Sequence, residues 1–127
     1  MILLDTDILI DFVRGHAGCR AWLLSVSAQR VAIPLFVAME LYAGCRNKQE
    51  ILLIERQLAP YQMVWLDEAG AISMVPQFAN AYLSHATGIL DSLIAATAIY
   101  HGVPLHTFNV KHFSAFPTLK TVQPYVH

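Results

Sequence analysis

The sequence contains few charged residues and few cysteines, and both shortages narrow the classes to which it can belong. Charged side chains make up 13% of its 127 residues and hydrophobic ones 56%, so a large core is expected and disorder is excluded. Cys19 and Cys45 are too few for a disulfide framework, and no cysteine and histidine spacing suggests zinc. These features favour a reduced, cytoplasmic protein.

Long apolar runs and an excess of positive charge are also absent. No apolar run approaches the ~18 residues of a membrane span. The N-terminus reaches Asp5 before any basic residue or small-residue cleavage site, so no signal peptide is predicted. A net charge of −1 provides no overall attraction for nucleic acid, although a short single strand needs only a local basic groove or a bound cation.

The order of apolar segments predicts a single α/β domain spanning residues 1–127. Helices alternate with five predicted strands, at residues 1–4, 30–33, 63–66, 105–108 and 119–122. Pro76 is expected to kink or break the helix that follows Asp67. Strands alternating with helices predict a mostly parallel sheet covered on both faces, with ligands bound beyond the carboxyl ends of the strands. Asp5 follows the first strand and lies at such an end.

Three of the nine acidic residues stand in apolar surroundings. On a helix, the neighbours of Glu40 at three and four residues' distance are all apolar or small, so its carboxylate has no polar face to join. Asp91 lies near the start of a helix that is apolar on nearly every side, where it suits either the helix dipole or a binding site. Asp5 suits either a turn after a strand or a site. A buried carboxylate without a partner is costly, so a cationic group is expected near these acids.

The remaining acids have ordinary explanations. Asp7 is predicted to cap the first helix, and Asp11 is predicted to lie on an exposed polar face with Arg14 as an ion-pair partner. The others are expected in solvated positions or at helix starts; they are Glu50, Glu55, Asp67 and Glu68.

Three carboxylates that converge need a counter-charge, and oxygen-only ligands suit a hard divalent ion such as Mg²⁺ or Mn²⁺. On a phosphodiester, such an ion can orient a water, lower its pKa and neutralise charge on the leaving oxygen. No phosphate-binding loop, dinucleotide fingerprint or Ser-His-Asp arrangement competes for this role.

Taken together, LLDTDILIDF, MELYAG and LDSLIAATAIYHGVPLHTFNVKHF resemble the PIN domain, and in particular the VapC-type toxins of toxin–antitoxin pairs. The resemblance covers essentially the whole chain. It implies a three-layer α/β/α sandwich with about five strands, and a Mg²⁺- or Mn²⁺-dependent endoribonuclease that hydrolyses RNA by a metal-activated water. It also implies a homodimer and a cognate antitoxin as partners, without a membrane association.

The resemblance assigns metal ligation to Asp5, Glu40 and Asp91. Many relatives carry a further Asp at the position of Asn109 or His112, and neither is acidic here. Asn109 is then expected to contact the attacking water, with Thr107 and Asp7 in supporting roles, and a second metal ion is less well provided for. The candidates for contacting RNA phosphates are Arg14, Arg46, Lys48 and Lys111.

Two other functions remain open at this stage. The absence of an acid at Asn109 and His112 is compatible with a catalytically weak or inactive binding module that keeps the PIN fold. Asp5-Thr6-Asp7 after a buried strand also resembles the start of an aspartate-nucleophile phosphatase, but no suitable downstream lysine or acidic pair is found.

Overall fold

The computed structural model describes residues 1–127 and has a five-stranded, entirely parallel sheet. The strands are β1 (Ile2–Leu4), β2 (Val31–Pro34), β3 (Gln62–Val64), β4 (Leu105–His106) and β5 (Thr121–Val122). Their order across the sheet is β3-β2-β1-β4-β5. The predicted fold class is therefore confirmed, and four of the five strands are shorter than expected because pairing stops where the chain turns into loops.

Six α-helices flank the sheet. They are α1 (Thr6–Val13), α2 (Ala17–Ser25), α3 (Leu35–Ala43), α4 (Lys48–Leu58), α5 (Glu68–His85) and α6 (Ile89–His101). Two single turns of 3-10 helix, Ala28–Arg30 and Val110–Phe113, complete the regular structure. None of the helices is both long and apolar enough to cross a bilayer.

Local sequence signals account for most helix starts. Asn47 caps α4 by accepting a hydrogen bond from the Glu50 amide at 2.9 Å, and Asp67 caps α5 through the Gly70 amide at 2.7 Å. The C-terminal end of α6 is capped by Gly102, whose φ of +64° glycine reaches without steric cost.

The expectation that Pro76 breaks its helix is wrong, because α5 continues through it from Glu68 to His85. Proline removes one donor, which leaves the carbonyl of Ile72 without its usual partner. Pro76 and Ile72 are both exposed, so water can satisfy that carbonyl and the helix continues.

The core lies between the sheet and its helices. The central strand β1 is buried along its whole length, and Ile8, Val37 and Ile94 bring α1, α3 and α6 against the sheet without exposed surface. Burying such aliphatic side chains stabilises a fold by about 1.5–3 kcal/mol each. This packing holds the first residues of α1 and α6 at the carboxyl ends of the strands, where the acidic residues lie.

Candidate active site

Asp5 lies at the switch point of the sheet, where the order of the strands reverses. From β1 the chain proceeds to β2 and β3 on one side, and β4 lies on the other side of β1. The Asp5 amide donates to the His106 carbonyl at 3.0 Å, so the carboxyl ends of β1 and β4 meet at this residue. Ligands of open parallel sheets bind at such switch points.

The loop after β4 holds the Asp5 carboxylate. The hydroxyl of Thr107, which has no exposed surface, donates to Asp5 Oδ2 at 2.8 Å. The Asn109 amide in turn donates to Thr107 Oγ1 at 3.0 Å. On its other side, Asp5 Oδ1 accepts from the Thr6 amide at 2.7 Å and caps α1. Asp5 is thus oriented by both strands that meet at the switch point.

Asp7 does not cap α1, and that prediction is wrong. Asp5 takes the cap position because its backbone is still extended, with φ −81° and ψ 168°, and Asp7 already lies in the first turn. Its carboxylate accepts from the Ile8 amide at 2.9 Å and from the Phe108 amide at 2.8 Å. Asp7 therefore joins the start of α1 to the loop after β4.

Glu40 comes from α3, the helix that follows β2. Its Oε1 accepts a hydrogen bond of 2.8 Å from the hydroxyl of Thr6. Sequence reasoning missed this role of Thr6. The available signal was its place between Asp5 and Asp7 at the junction of strand and helix, where a small hydroxyl can reach an incoming acid.

Asp91 lies in the first turn of α6. The N-cap residue of this helix is Gly88, so no side-chain hydrogen bond caps the helix. The Asp91 side chain is 35% exposed, and its Oδ2 lies 3.6 Å from His112 Nδ1. Burial raises the pKa of Asp91, and the neighbouring His112 opposes that rise. His112 therefore contacts an acidic residue of the site, although its own side chain is not a carboxylate.

Burial raises the pKa of Asp5 to about 6, from 3.8 for a solvated aspartate. Hydrogen bonds from Thr107 and Thr6 oppose this rise, and the charges of Asp7 and Asp91 add to it. Neither Asp5 nor Glu40 forms an ion pair with a lysine or arginine.

Asp5 and Glu40 are linked through Thr6, and the charge of Asp91 contributes to the raised pKa of Asp5, but the three carboxylates form no compact group. Their carboxylate oxygens do not all lie within 4.8 Å of one another. Thr107, Thr6 and His112 each hold a different acid, and carboxylates repel one another when no cation lies between them. Oxygen donors of this kind, buried or partly buried and without a lysine or arginine partner, are chemically suited to a hard divalent cation.

The predicted phosphate contacts fall into two groups. Arg14 and Arg46 line a cleft of about 470 Å³ together with Glu40, although Arg46 also pairs with Glu50 at 3.3 Å. Lys48 and Lys111 are exposed and do not line this cleft. The Asn109 residue is likewise exposed beside the site.

The prediction that Asp11 faces solvent with Arg14 is wrong. Its side chain is only 16% exposed, and its Oδ2 lies 2.8 Å from His127 Nε2 and accepts a 2.6 Å hydrogen bond from the Tyr125 hydroxyl. These partners lie more than 110 residues away in sequence, and no local spacing reveals them.

An entirely parallel sheet with the buried Asp5 at its switch point, and with the partly buried Glu40 and Asp91, defines an α/β protein whose acids are chemically suited to a cation. The family model of the PIN domain matches residues 2–117. The chain is 35% identical to the ribonuclease VapC10 of Mycobacterium tuberculosis strain CDC 1551, over 94% of this chain and 91% of the relative. It is 34% identical to VapC19 of the same strain, over 94% and 98% respectively.

A solved structure supports the same relationship. The toxin–antitoxin complex from Klebsiella pneumoniae contains a chain that superposes with a TM-score of 0.77 at 26% identity, with complete coverage of both chains. The present chain therefore belongs to the PIN-domain family, among relatives named VapC ribonucleases.

Proposed function

We propose that this chain is a divalent-metal-dependent endoribonuclease and the toxin of a toxin–antitoxin pair. Its supports are the PIN-domain match, the ribonuclease relatives and the Klebsiella toxin–antitoxin complex. The observation that carries the proposal is the buried Asp5 carboxylate. The negative charges of Asp7 and Asp91 act on it, and it has no basic partner.

In this proposal Asp5, Glu40 and Asp91 hold Mg²⁺ or Mn²⁺. A divalent ion in such a site lowers the pKa of water and neutralises charge on a phosphodiester. Thr107 holds Asp5 in position, and Thr6 does the same for Glu40 through their 2.8 Å hydrogen bonds. Asp7 supports the site indirectly, because it fixes the loop that carries Thr107.

The RNA backbone is proposed to cross the cleft beside Glu40. Arg14 and Arg46 would bind phosphate groups there, while Lys48 and Lys111 would extend the basic surface beyond it. Asn109 would orient the attacking water, since its backbone is fixed by Thr107 and it is exposed beside Asp5. Hydrolysis by this route leaves a 5′-phosphate and a 3′-hydroxyl.

The whole chain would act as one nuclease domain in the cytoplasm, as a homodimer controlled by a cognate antitoxin. One structural relative is the toxin–antitoxin complex from Klebsiella pneumoniae, and another is FitAB bound to a DNA fragment. An antitoxin that binds over the acidic site would control RNA access directly.

The aspartate-nucleophile phosphatase fits the structure less well. That chemistry needs Asp7 as a mobile acid that faces the substrate. Asp7 instead accepts hydrogen bonds from the Ile8 and Phe108 amides, which fix its carboxylate within the fold. Trapping of a phosphoaspartate on Asp5 would overturn this judgement.

The inactive binding module has one observation in its favour. His112 contacts Asp91 at 3.6 Å, at a position where the PIN-domain resemblance implies an acid. A residue without a carboxylate at this place reduces the negative charge available for a second ion.

RNA cleavage assays distinguish these functions. We expect cleavage of single-stranded RNA with Mg²⁺ or Mn²⁺, no cleavage with EDTA, and a loss of at least a hundredfold in rate for Asp5→Asn. Glu55→Gln is the matched control, since Glu55 is exposed on α4 and lies outside the site. Cleavage that survives both EDTA and Asp5→Asn would refute the metal mechanism, and absence of cleavage and of metal binding in the wild type would favour the inactive module.

A further inference from the structure

A second group of metal-ligating side chains lies away from the acids described above. Asp11 comes from α1, His16 caps α2, and His127 comes from the segment after β5. One ligand atom from each of these residues lies within 4.8 Å of the other two. No other set of three histidine, cysteine, aspartate or glutamate residues in the chain meets this condition.

The surroundings of this group favour a bound cation. Asp11 is largely buried, and no lysine or arginine pairs with it. The Tyr125 hydroxyl donates to Asp11 Oδ2 at 2.6 Å, and such a hydrogen bond is typical of the groups that orient a metal-bound carboxylate. The rings of His16 and His127 are stacked at 15° with centroids 5.4 Å apart, which places both imidazoles beside the same carboxylate.

The donor set differs in kind from the oxygen-only set at the switch point. Two imidazoles and one carboxylate suit Zn²⁺ and its neighbours in the transition series, whereas Mg²⁺ prefers oxygen ligands throughout. In a tetrahedral zinc site with bonds near 2.0–2.1 Å, ligand atoms are roughly 3.3 Å apart. The ligand atoms, which lie within 4.8 Å of one another, therefore need to approach by at most about 1.5 Å to reach this geometry.

Binding requires an exchange of existing hydrogen bonds. His16 Nδ1 now accepts from the Cys19 amide at 3.1 Å, and His127 Nε2 contacts Asp11 at 2.8 Å. An ion would replace the contact between His127 and Asp11 and would compete with the cap of α2. Three metal bonds and the retained Tyr125 hydrogen bond would take the place of these contacts.

We propose that Asp11, His16 and His127 form a Zn²⁺-type site that fastens the segment after β5 to helices α1 and α2. The fastened segment adjoins the acidic site. The Phe108 ring lies 4.6 Å from the His127 ring and 4.9 Å from the Tyr125 ring, and the Phe108 amide donates to Asp7. The ion thus stabilises the fold from the side of the loop that holds Asp5.

The test is Zn²⁺ titration of the full chain, previously freed of metal, by calorimetry, with Co²⁺ as a spectroscopic probe. His16→Asn retains a residue that can cap α2, and His127→Phe retains an aromatic ring beside Phe108. We expect the wild type to bind one Zn²⁺ per chain at this site. In each variant the Kd should be at least tenfold higher, and the visible absorption of tetrahedral Co²⁺ should be lost. Circular dichroism verifies that both variants are folded.

Two control variants locate the ion. His85→Asn removes an exposed histidine at the end of α5, and Asp5→Asn alters the acidic site. Binding at Asp11, His16 and His127, followed by the visible absorption of tetrahedral Co²⁺, should be unchanged in both. Equal Zn²⁺ affinity in the wild type, His16→Asn and His127→Phe would overturn the proposal, as would loss of binding in Asp5→Asn alone or absence of binding in the wild type.

Discussion

Replacing Asp5 by asparagine should stabilise the metal-free protein at neutral pH. Burial raises the pKa of Asp5 from 3.8 to about 6 in the folded state. The folded protein therefore binds the proton more tightly than the unfolded chain does. The stabilisation that this bound proton contributes is complete below about pH 4 and is lost as the pH rises through 6.

The expected size follows from that shift. Two pKa units at 1.36 kcal/mol each correspond to about 3 kcal/mol of lost stability above pH 6. Asparagine carries no charge and avoids this loss, but it can accept only one of the two hydrogen bonds that Asp5 now accepts from Thr6 and Thr107. Subtracting about 1 kcal/mol for that change leaves a net gain of about 2 kcal/mol. For a chain of this length, the melting temperature should rise by roughly 6 °C.

Differential scanning calorimetry in the presence of EDTA at pH 4 and pH 7.5 measures this effect. The advantage of Asp5→Asn should be present at pH 7.5 and should vanish or reverse at pH 4. Asp67→Asn is the matched control, because Asp67 is exposed and asparagine also caps helices, so its effect should stay within about 0.5 kcal/mol. A lower melting temperature of Asp5→Asn at pH 7.5, or a difference that does not depend on pH, would refute the electrostatic reasoning.

Four further substitutions probe the same site. Glu40→Gln and Asp91→Asn should each weaken Mn²⁺ binding by calorimetry while leaving the metal-free melting temperature equal or higher; a sharp fall would make that residue structural. Thr107→Val should lower stability at pH 7.5 by about 1–3 kcal/mol in urea unfolding, since the buried Asp5 carboxylate loses its donor; an unchanged midpoint would contradict this role. Arg14→Gln should weaken RNA binding and reduce its salt dependence by about one ion, whereas the exposed Arg56→Gln, outside the cleft, should not; equal effects would exclude a specific contact.

Residues with strong local preferences were predictable. Asn47 and Asp67 are residue types that favour helix caps, and both cap their helices; the alternation of strands and helices correctly predicts a parallel sheet. Asp5, Glu40 and Asp91 stand out in the sequence because apolar neighbours make a carboxylate costly, and their metal ligation stays a prediction.

Features that depend on distant contacts were not predictable. Asp11 has the sequence surroundings of an exposed residue, and its burial results from Tyr125 and His127, more than 110 positions later. Thr6 gains its role only because α3 brings Glu40 within 2.8 Å of it. The order of the strands also lies outside what periodicity specifies, since every strand has the same alternation whichever neighbour it pairs with.

The assignment of metal ligation to Asp5, Glu40 and Asp91 is tested most directly by Mn²⁺ binding to Glu40→Gln. This variant keeps the size of the side chain and an acceptor for the Thr6 hydroxyl, and it removes only the charge. Calorimetric titration should show Mn²⁺ binding to the wild type and to the Glu55→Gln control, and at least tenfold weaker binding to Glu40→Gln. Equal Mn²⁺ affinity in all three proteins would contradict the assignment.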